Sequence, residues 1–314
     1  MGRFYKNSLK IALISSLLGI VLILVGVVGG GAGLFKQMIK NGDFSFGDDD
    51  FHWVDFSFLD DDWEDDWDDE DYEDTETQGI YSLSEYQIEN LDIQIGASSC
   101  EILYDKGQAA YSISVKPGQG NEDIQYGVKD NTFYVKCSTD ISILSGKTKP
   151  NKIVITIPEK KVYDKVRLSL GAGSVEVEPE LQAKEMEIEI GAGNIEADRV
   201  VTENQLNCEV GAGNLEIDGI KAGSLKAECD AGRLVFDSLQ VSGDVDIRCN
   251  AGKVELELEE AKKSFNYDLS CALGQISIDE EEHAGIDFSQ KMDNKADRTC
   301  KVDCNVGSVS IDFN

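Results

Sequence analysis

Apolar and polar residues alternate one by one over much of the chain after residue 165, and small tripeptides interrupt the alternation at nearly regular steps. Val166, Leu168 and Leu170 precede one tripeptide, and Val175 and Val177 follow it, with polar residues between them. A period of two places one side of a β-strand against the core and the other in solvent. Each copy is therefore predicted to form a strand, a tight turn, a second strand and a second turn.

The tripeptides define a repeat of about 20 residues. From 171 to 250 their starts are separated by 20, 20, 19 and 20 residues. In every copy but one the first position is Gly, Asp or Asn, the residues that tolerate left-handed backbone geometry, so we expect turn chemistry to explain this column. The eight tripeptides are Gly96-Ala97-Ser98, Gly171-Ala172-Gly173, Gly191-Ala192-Gly193, Gly211-Ala212-Gly213, Asp230-Ala231-Gly232, Asn250-Ala251-Gly252, Ala272-Leu273-Gly274 and Asn305-Val306-Gly307.

Two strands cannot bury an apolar face alone, whereas stacked copies can. The predicted fold class is all-β, a β-solenoid or roll of seven or eight rungs that each add about 4.8 Å. An antiparallel β-sandwich with a hairpin at each tripeptide is the alternative. The constant step favours the solenoid. Strands predicted at 112–115, 124–136 (with a turn near Asp130) and 152–157 would start or cap the stack, and the polar segment 280–299 would interrupt its last rungs.

The N-terminal part predicts a membrane anchor. Ile11 to Gly33 contains no charged residue, and about 20 apolar residues span a bilayer. Arg3, Lys6 and Lys10 precede the span, so residues 1–10 are expected in the cytoplasm and everything after the span outside. The predicted localisation is the cell membrane, single-pass. A cleaved signal peptide is the alternative, although its apolar region would be shorter.

Residues 34–79 are predicted to be a disordered, acidic, aromatic-rich linker, followed by the extracytoplasmic repeat domain at 80–314. Positions 43–77 hold 18 Asp or Glu, no Lys or Arg, and all three Trp. Blocks of like charge stay extended, so the segment is interpreted as a solvated spacer, with capture of a basic partner as the alternative. The whole chain has a formal charge of −31, which disfavours nucleic acid as a partner.

Seven of the eight cysteines fall on the inward positions of the repeat. Cys229, Cys249, Cys271 and Cys304 share the column that Leu170 and its equivalents occupy in earlier copies. Cysteine there replaces an aliphatic residue, so free core thiols are favoured. A disulfide between stacked rungs remains geometrically open, and a zinc site is disfavoured because the spacing is that of the rung.

The outward positions after the turn form two acidic columns. Stacked like charges repel, and calcium would relieve the repulsion. The favoured interpretation is a solvated face compensated by Lys and Arg on neighbouring strands, with calcium binding the less favoured one. The two columns are Glu178, Asp198, Asp218, Asp237, Glu257, Asp279 and Asp312, and Glu176, Glu196, Glu216 and Glu255.

No catalytic, cofactor-binding or metal-binding residue is predicted. The two histidines, His52 and His283, lie in the linker and the polar segment, away from any Ser or Cys motif. Paired carboxylates are abundant, yet the outward positions offer few aromatic residues for a carbohydrate groove. We therefore expect a protein that is not an enzyme.

The segment KIVITIPEKKVYDKVRLSLGAGSVEVE (152–178) and the repeats after it resemble bacterial cell-envelope proteins described as putative adhesins with β-strand repeats. The resemblance covers roughly residues 80–314, and the acidic linker lies outside it. It implies a surface location and a β-repeat domain of unknown function, with no catalytic motif to transfer.

Together these features predict a membrane-anchored surface protein that displays its repeat domain for adhesion or interaction with an envelope or surface protein. The alternatives are a structural, self-assembling envelope element and an envelope-stress regulator that acts through the short cytoplasmic N-terminus.

Overall fold

The computed structural model describes residues 77–82, 86–105, 110–118, 123–138, 149–279, 281–284 and 287–313. The predicted cytoplasmic segment, membrane helix and linker up to residue 76 lie outside the described residues. No helix within the described ranges is long and apolar enough to cross a membrane.

The described residues form 21 strands and one turn of 3₁₀ helix at Lys262–Ser264. The strands are β1 (Thr77–Ser82), β2 (Asn90–Ile95), β3 (Ser99–Asp105), β4 (Ala110–Lys116), β5 (Ile124–Lys129), β6 (Thr132–Cys137), β7 (Lys152–Pro158), β8 (Val162–Leu170), β9 (Ser174–Ile190), β10 (Asn194–Val210), β11 (Asn214–Ala222), β12 (Ser224–Cys229), β13 (Arg233–Val241), β14 (Val245–Cys249), β15 (Lys253–Leu258), β16 (Phe265–Cys271), β17 (Gln275–Ile278), β18 (Glu281–Ala284), β19 (Phe288–Met292), β20 (Arg298–Cys304) and β21 (Ser308–Phe313).

Equivalent strands of successive repeats pair in parallel and in register. Leu206 of β10 lies beside Met186 of β9 on one side and Leu225 of β12 on the other. Every inward position therefore stacks on an inward position of the next copy, and the apolar ladders close into one core. The all-β prediction is confirmed, and the fold is β-solenoid-like. Parallel pairing at the repeat step excludes the antiparallel sandwich for the central copies.

We call one strand–turn–strand unit a rung. The strands before the tripeptides form the pre-turn sheet, in the order β5, β6, β2, β8, the second halves of β9 and β10, β12, β14, β20, β16 and β19. The strands after the tripeptides form the post-turn sheet, in the order β1, β4, β7, β3, the first halves of β9 and β10, β11, β13, β15, β21, β17 and β18. Because β9 and β10 run through the corner, both sheets belong to one continuous hydrogen-bonded sheet.

Each central rung also contains a short third stretch that the sequence analysis did not separate. After a register shift at Asp198, residues Arg199–Thr202 of β10 pair with Glu180–Ala183 of β9. Val200 stacks between Leu181 and Ile220 and is fully buried, so this stretch adds a third wall to the core.

The order of the rungs in space differs from their order in the chain at both ends. The first rung in sequence, β2/β3, lies between β6/β7 and β8/β9. The last, β20/β21, lies between β14/β15 and β16/β17. Nine rungs are present among the described strands, against seven or eight predicted. The additional one is β6/β7, whose connection carries none of the tripeptides.

Antiparallel strands close the stack at both ends. β5 pairs with β6, β4 with β7 and β1 with β4 at one end, and β19 pairs with β16 and β18 with β17 at the other. The predicted capping role of the lead-in is confirmed, whereas the segment at 280–299, which was expected to interrupt the last rungs, supplies the end strands β18 and β19. The predicted turn near Asp130 joins β5 to β6, and both Asp130 and Asn131 have positive φ, as a two-residue hairpin requires.

The structure corrects the expectation that left-handed backbone geometry explains the residues at the first tripeptide position. Asp230, Asn250 and Asn305, at the first tripeptide position, do not have positive φ. From the second tripeptide onward glycine is required at the third position, because the rungs approach each other closely there. A Cβ at Gly213 would lie 2.2 Å from the carbonyl oxygen of Gly193 in the preceding rung. The repeat of glycine thus reflects contact between backbones of adjacent rungs rather than left-handed geometry.

Candidate functional site

The acidic columns of the post-turn sheet lie on its outward side, which we call the post-turn face. Glu176, Glu196 and Glu216 are in register on three successive rungs, and Glu101 of β3 extends the row by one rung. Adjacent strands are about 4.8 Å apart, so the row brings four carboxylates close together. The predicted column is therefore real, although Val235 interrupts it before Glu255.

Most acids in the N-terminal half of this face lack a basic partner. Glu176, Glu196 and Glu216 are exposed and form no ion pair with a described residue, and the same holds for Asp198 and Asp218. The exception is Glu101, whose carboxylate lies 2.7 Å from Lys152 Nζ. The expectation that neighbouring Lys and Arg compensate the acids is thus wrong for this part of the face.

The C-terminal half of the post-turn face does carry bases. Arg233 and Lys253 both contact Glu255, at 2.8 Å and 2.7 Å. Burial favours a raised pKa for the Glu255 carboxyl, but the hydrogen bonds from Lys253 and Arg233 lower that pKa below its ordinary value. At Asp237 the pKa is raised, first by burial and then by Glu257 and Asp218. Like charges therefore act on one another across rungs.

The outward side of the pre-turn sheet, the pre-turn face, carries bases among its acids, although Glu189, Glu209 and Glu228 stand in register on three successive rungs. Arg248 of β14 lies in register between Glu228 and Asp303. Burial favours a raised pKa at Asp303, but hydrogen bonds from Lys301 and Ser270 lower it below its ordinary value. The ion pairs on this face are Lys165–Glu187 at 3.1 Å, Arg167–Glu189 at 2.9 Å, Lys226–Glu209 at 3.9 Å, Lys301–Asp303 at 2.7 Å and Lys291–Asp268 at 2.7 Å.

The two faces are therefore chemically different surfaces on one rigid stack. Five acids of the pre-turn face have an ion-pair partner, whereas Glu176, Glu196 and Glu216 of the post-turn face have none among the described residues. Within the described residues no group of three or more His, Cys, Asp or Glu has an arrangement that could hold a metal ion. The post-turn row is a flat display of charge rather than a coordination cage.

Residues 87–312 match the family model described as Toastrack DUF4097. The chain belongs to this family. The match spans more than half of the chain and confirms the predicted resemblance to an adhesin-like β-repeat family of unknown function.

Solved structures with similarity to this chain include three bacterial proteins. A putative cell adhesion protein from Clostridium sporogenes is 15% identical, covers 76% of this chain and 99% of its own, and gives a TM-score of 0.33. A putative adhesin from Bacteroides fragilis is 13% identical, with 76% and 98% covered and a TM-score of 0.41. A putative lipid binding protein from Parabacteroides distasonis is 12% identical, with 75% and 96% covered and a TM-score of 0.41. Among curated proteins none matches the chain.

The eight cysteines of the Toastrack domain are buried and none of them forms a disulfide, which agrees with the favoured prediction. Burial raises the pKa of Cys229 to about 11 and that of Cys300 to about 12. A thiol with so high a pKa is almost entirely protonated near neutral pH and is a poor nucleophile. In the folded state these cysteines are core side chains.

One ladder at the corners of the Toastrack rungs was missed by the sequence analysis. Asn250 donates a side-chain hydrogen bond to the Asp230 carboxylate, and Asn305 donates one to the Asn250 carbonyl at 2.7 Å. The signal was present in the first tripeptide position, where three consecutive rungs carry Asp, Asn and Asn. Side-chain amides stacked at the rung spacing can bond to one another, whereas the glycines of the earlier rungs cannot.

Of the two histidines considered for catalysis, His52 lies outside the described residues. His283 lies on β18, where its backbone pairs with Ile276. The absence of catalysis stays a prediction, as does the role of the aromatic residues in the linker.

Proposed function

We propose that this chain is a membrane-anchored surface protein that displays its Toastrack stack for adhesion or for interaction with a basic envelope or surface partner, without catalysis. The observation that carries the proposal is the contrast between the two faces. An acidic row that lacked a function would gain from the cross-rung pairing that the opposite face has. The unpaired carboxylates of the post-turn face instead keep their charge available for a cationic partner.

A self-assembling envelope element is the second candidate, and the ends of the stack argue against it. Both ends finish in antiparallel strands, and β18 is only four residues long and carries Glu281 and Glu282. Short, charged edge strands oppose edge-to-edge association. Light scattering on the full-length protein in detergent micelles would separate the two candidates, because the display function requires no growth of mass with concentration.

The anchoring part of the proposal rests on the apolar segment at 11–33 and the three basic residues before it. Cells that express the full chain are expected to retain it in the membrane fraction, with the Toastrack domain accessible to protease added outside. A chain without residues 1–33 has no such anchor and is expected in a soluble fraction. Protection of the domain from external protease in intact cells would contradict the proposed orientation.

The interaction part is tested by neutralising each face in turn. A triple variant E176Q/E196Q/E216Q removes charge from the post-turn face, and E187Q/E189Q/E209Q removes the same charge from the pre-turn face. Cells that display the first variant should lose retention on polylysine-coated glass, relative to cells with the native chain at equal surface density. The second variant should retain its binding. Equal loss in both variants would indicate a response to net charge alone and would contradict the proposed binding role of the post-turn face.

A further inference from the structure

A continuous column of cysteine thiols runs through the C-terminal rungs of the stack. Cys229, Cys249, Cys304 and Cys271 lie in register on β12, β14, β20 and β16, each beside the next. The column continues the line of Leu170, Ile190 and Val210. Adjacent parallel strands place such residues at a Cα separation within the range that a disulfide bridges.

Cys304 is the third of the four cysteines in this column. It lies in register with Cys249 on one side and with Cys271 on the other. Its thiol donates a hydrogen bond to the carbonyl oxygen of Gly307, at 3.2 Å. Cys229, at the other end of the column, has a single cysteine neighbour in register, Cys249, and its sulfur donates to the carbonyl oxygen of Lys253 at 3.8 Å. Cys249, Cys304 and Cys271 therefore lie side by side on three adjacent strands at one end of the core, with Cys304 between the other two.

The position of Cys304 in the topology gives this group a consequence. β20 and β21 form the last rung in sequence, and they are inserted between β14/β15 and β16/β17. A bond from Cys304 to Cys271 would tie the inserted strand to the end rung. A bond to Cys249 would tie it to the rung on the other side. Because one sulfur can form only one of these bonds, the group can hold a single disulfide.

We propose that Cys271 and Cys304 are a disulfide-forming pair that locks the inserted C-terminal rung when the protein meets a disulfide oxidant. The end pair is favoured over Cys249–Cys304 by exposure. Cys271 and Cys304 each retain 2% of their surface accessible, against none for Cys249 and Cys229. Only the antiparallel strand β19 covers Cys271 on its outer side, whereas Cys249 has rungs on both sides.

The chemistry balances with a low-molecular-weight disulfide as the oxidant. The Cys304 thiolate attacks one sulfur of the oxidant, whose S–S bond breaks and releases one small thiolate. The Cys271 thiolate then attacks the Cys304 sulfur in the mixed disulfide and releases the second small thiolate. The two protons lost by the cysteines end on the two small thiols. Two protein thiols are oxidised, and one small disulfide is reduced.

Reaction requires local opening of the end strands, because the folded thiols are buried. Terminal strands open at a lower free energy than the centre of a stack. The oxidant therefore reaches Cys271 and Cys304 first, while Cys208 in the middle of the core stays reduced. Cys208 stacks on Ile188 and Ala227, so it also lacks a thiol neighbour in register.

The test treats the folded full-length protein with oxidised glutathione, then counts thiols after denaturation in an alkylating reagent. The native chain is expected to lose two of its eight thiols, and peptide mapping is expected to find Cys271 linked to Cys304. C249V and C208V should each still lose two, since neither residue belongs to the pair. C271V and C304V should each keep every remaining thiol.

Three results would overturn the proposal. The first is a native chain that keeps all eight thiols under conditions that oxidise the denatured chain. The second is a disulfide that persists in C304V, which would place it elsewhere, for instance at Cys100 and Cys137. The third is a Cys249–Cys304 bond as the main product. Far-UV circular dichroism of each variant confirms that the folded protein is being compared, and C271V offers a second removal of the pair if C304V does not fold.

Discussion

The N-terminal and C-terminal halves of the stack build the same corner from different side chains. In the N-terminal half, an aliphatic residue precedes a Gly-Ala-Gly corner, as at Ile190-Gly191. In the C-terminal half, Cys precedes a corner that starts with Asp or Asn, as at Cys249-Asn250. The backbone contacts are the same in both, since Ala192 N donates to Gly171 O and Ala251 N donates to Asp230 O.

The difference between the halves separates the steric requirement of the backbone contacts at each corner from the interactions that the side chains there add. Apart from Ser98 in the first tripeptide, both halves keep Gly at the third position, because a carbonyl of the neighbouring rung occupies the space of a Cβ. The first position differs between the halves, with Gly in the N-terminal rungs and Asp or Asn in three of the C-terminal rungs. In the C-terminal half, Asp230, Asn250 and Asn305 form a ladder of side-chain hydrogen bonds, which we call the Asx ladder. Cysteine sulfurs in this half also donate hydrogen bonds to carbonyl groups, as Cys249 does to Gly252 at 3.2 Å.

The largest effect is expected from Gly213→Ala, which tests the demand shared by both halves. The new Cβ would lie 2.2 Å from Gly193 O and 2.6 Å from Ile190 Cγ2. Forcing two rungs apart should lower the free energy of unfolding by about 3 kcal/mol in chemical denaturation. Gly219→Ala is the matched control, because its nearest neighbour is 3.5 Å away. A change of similar size in both variants would contradict the close-contact explanation.

The next effect compares two buried thiols. Cys208→Ser places a hydroxyl among apolar side chains, where no hydrogen-bond acceptor contacts the present sulfur, so a loss of about 2 kcal/mol is expected. Cys249→Ser should cost about half of that, because a serine hydroxyl can donate to Gly252 O. Thermal unfolding of both variants in reducing buffer measures the difference. The reverse order would show that the sulfur contacts of the C-terminal half add nothing.

The Asx ladder predicts a smaller effect. Asn250→Ala removes the hydrogen bonds to Asp230 and from Asn305, and a loss of about 1 kcal/mol is expected. Asn214→Ala is the control in the N-terminal half, since its exposed side chain makes no hydrogen bond with a described residue. Denaturant titration of both variants provides the measurement. Equal stability of the two would remove the ladder as a distinction between the halves.

The smallest effects concern pH. The pKa of Asp303 is lowered in the fold, so its ionised carboxylate stabilises the fold above the ordinary pKa of 3.8. This stabilisation is lost as pH falls through the lowered pKa. The pKa of Asp237 is raised, so it destabilises the fold increasingly as pH rises through and above 3.8. At pH 7 we expect D303N to lower the melting temperature and D237N to raise it. Both changes should correspond to less than about 1 kcal/mol, because the groups are partly exposed.

Melting curves at pH 7 and pH 3 check this pair of predictions. The gain from D237N should vanish at pH 3, where the native carboxyl is already protonated in both states. A gain that persists at pH 3 would have a cause other than charge.

The alternation of single residues was enough to predict the strands, the inward ladder and the burial of the cysteines. Val166, Leu168 and Leu170 all lie in the core, as their period of two requires. The order of the rungs could not be predicted in this way. The strands ending at Cys271 and Cys304 carry the same pattern, so by sequence either could have stacked on the strand ending at Cys249. Tertiary packing determines that the strand ending at Cys304 lies there.

The charges of the faces were predicted in part. The acidic columns follow from sequence spacing, but their partners do not, because a cross-rung pair depends on which base stands at the same register. Lys165 reaches Glu187, 22 positions later, whereas Glu196 has only neutral or acidic residues in register beside it. The exclusion of a Cβ at Gly213 likewise depends on a carbonyl from another rung, which no local pattern reveals.

The insertion of the last rung affects how the molecule would bear a load. A simple stack under tension at its C-terminus peels from the end, and its hydrogen bonds break one rung at a time. Here β20 and β21 have a paired strand on each side. A pull on the C-terminal end of β21 must therefore break two ladders of hydrogen bonds at once, one on each side of the strand, whereas a strand at the end of a simple stack has only one.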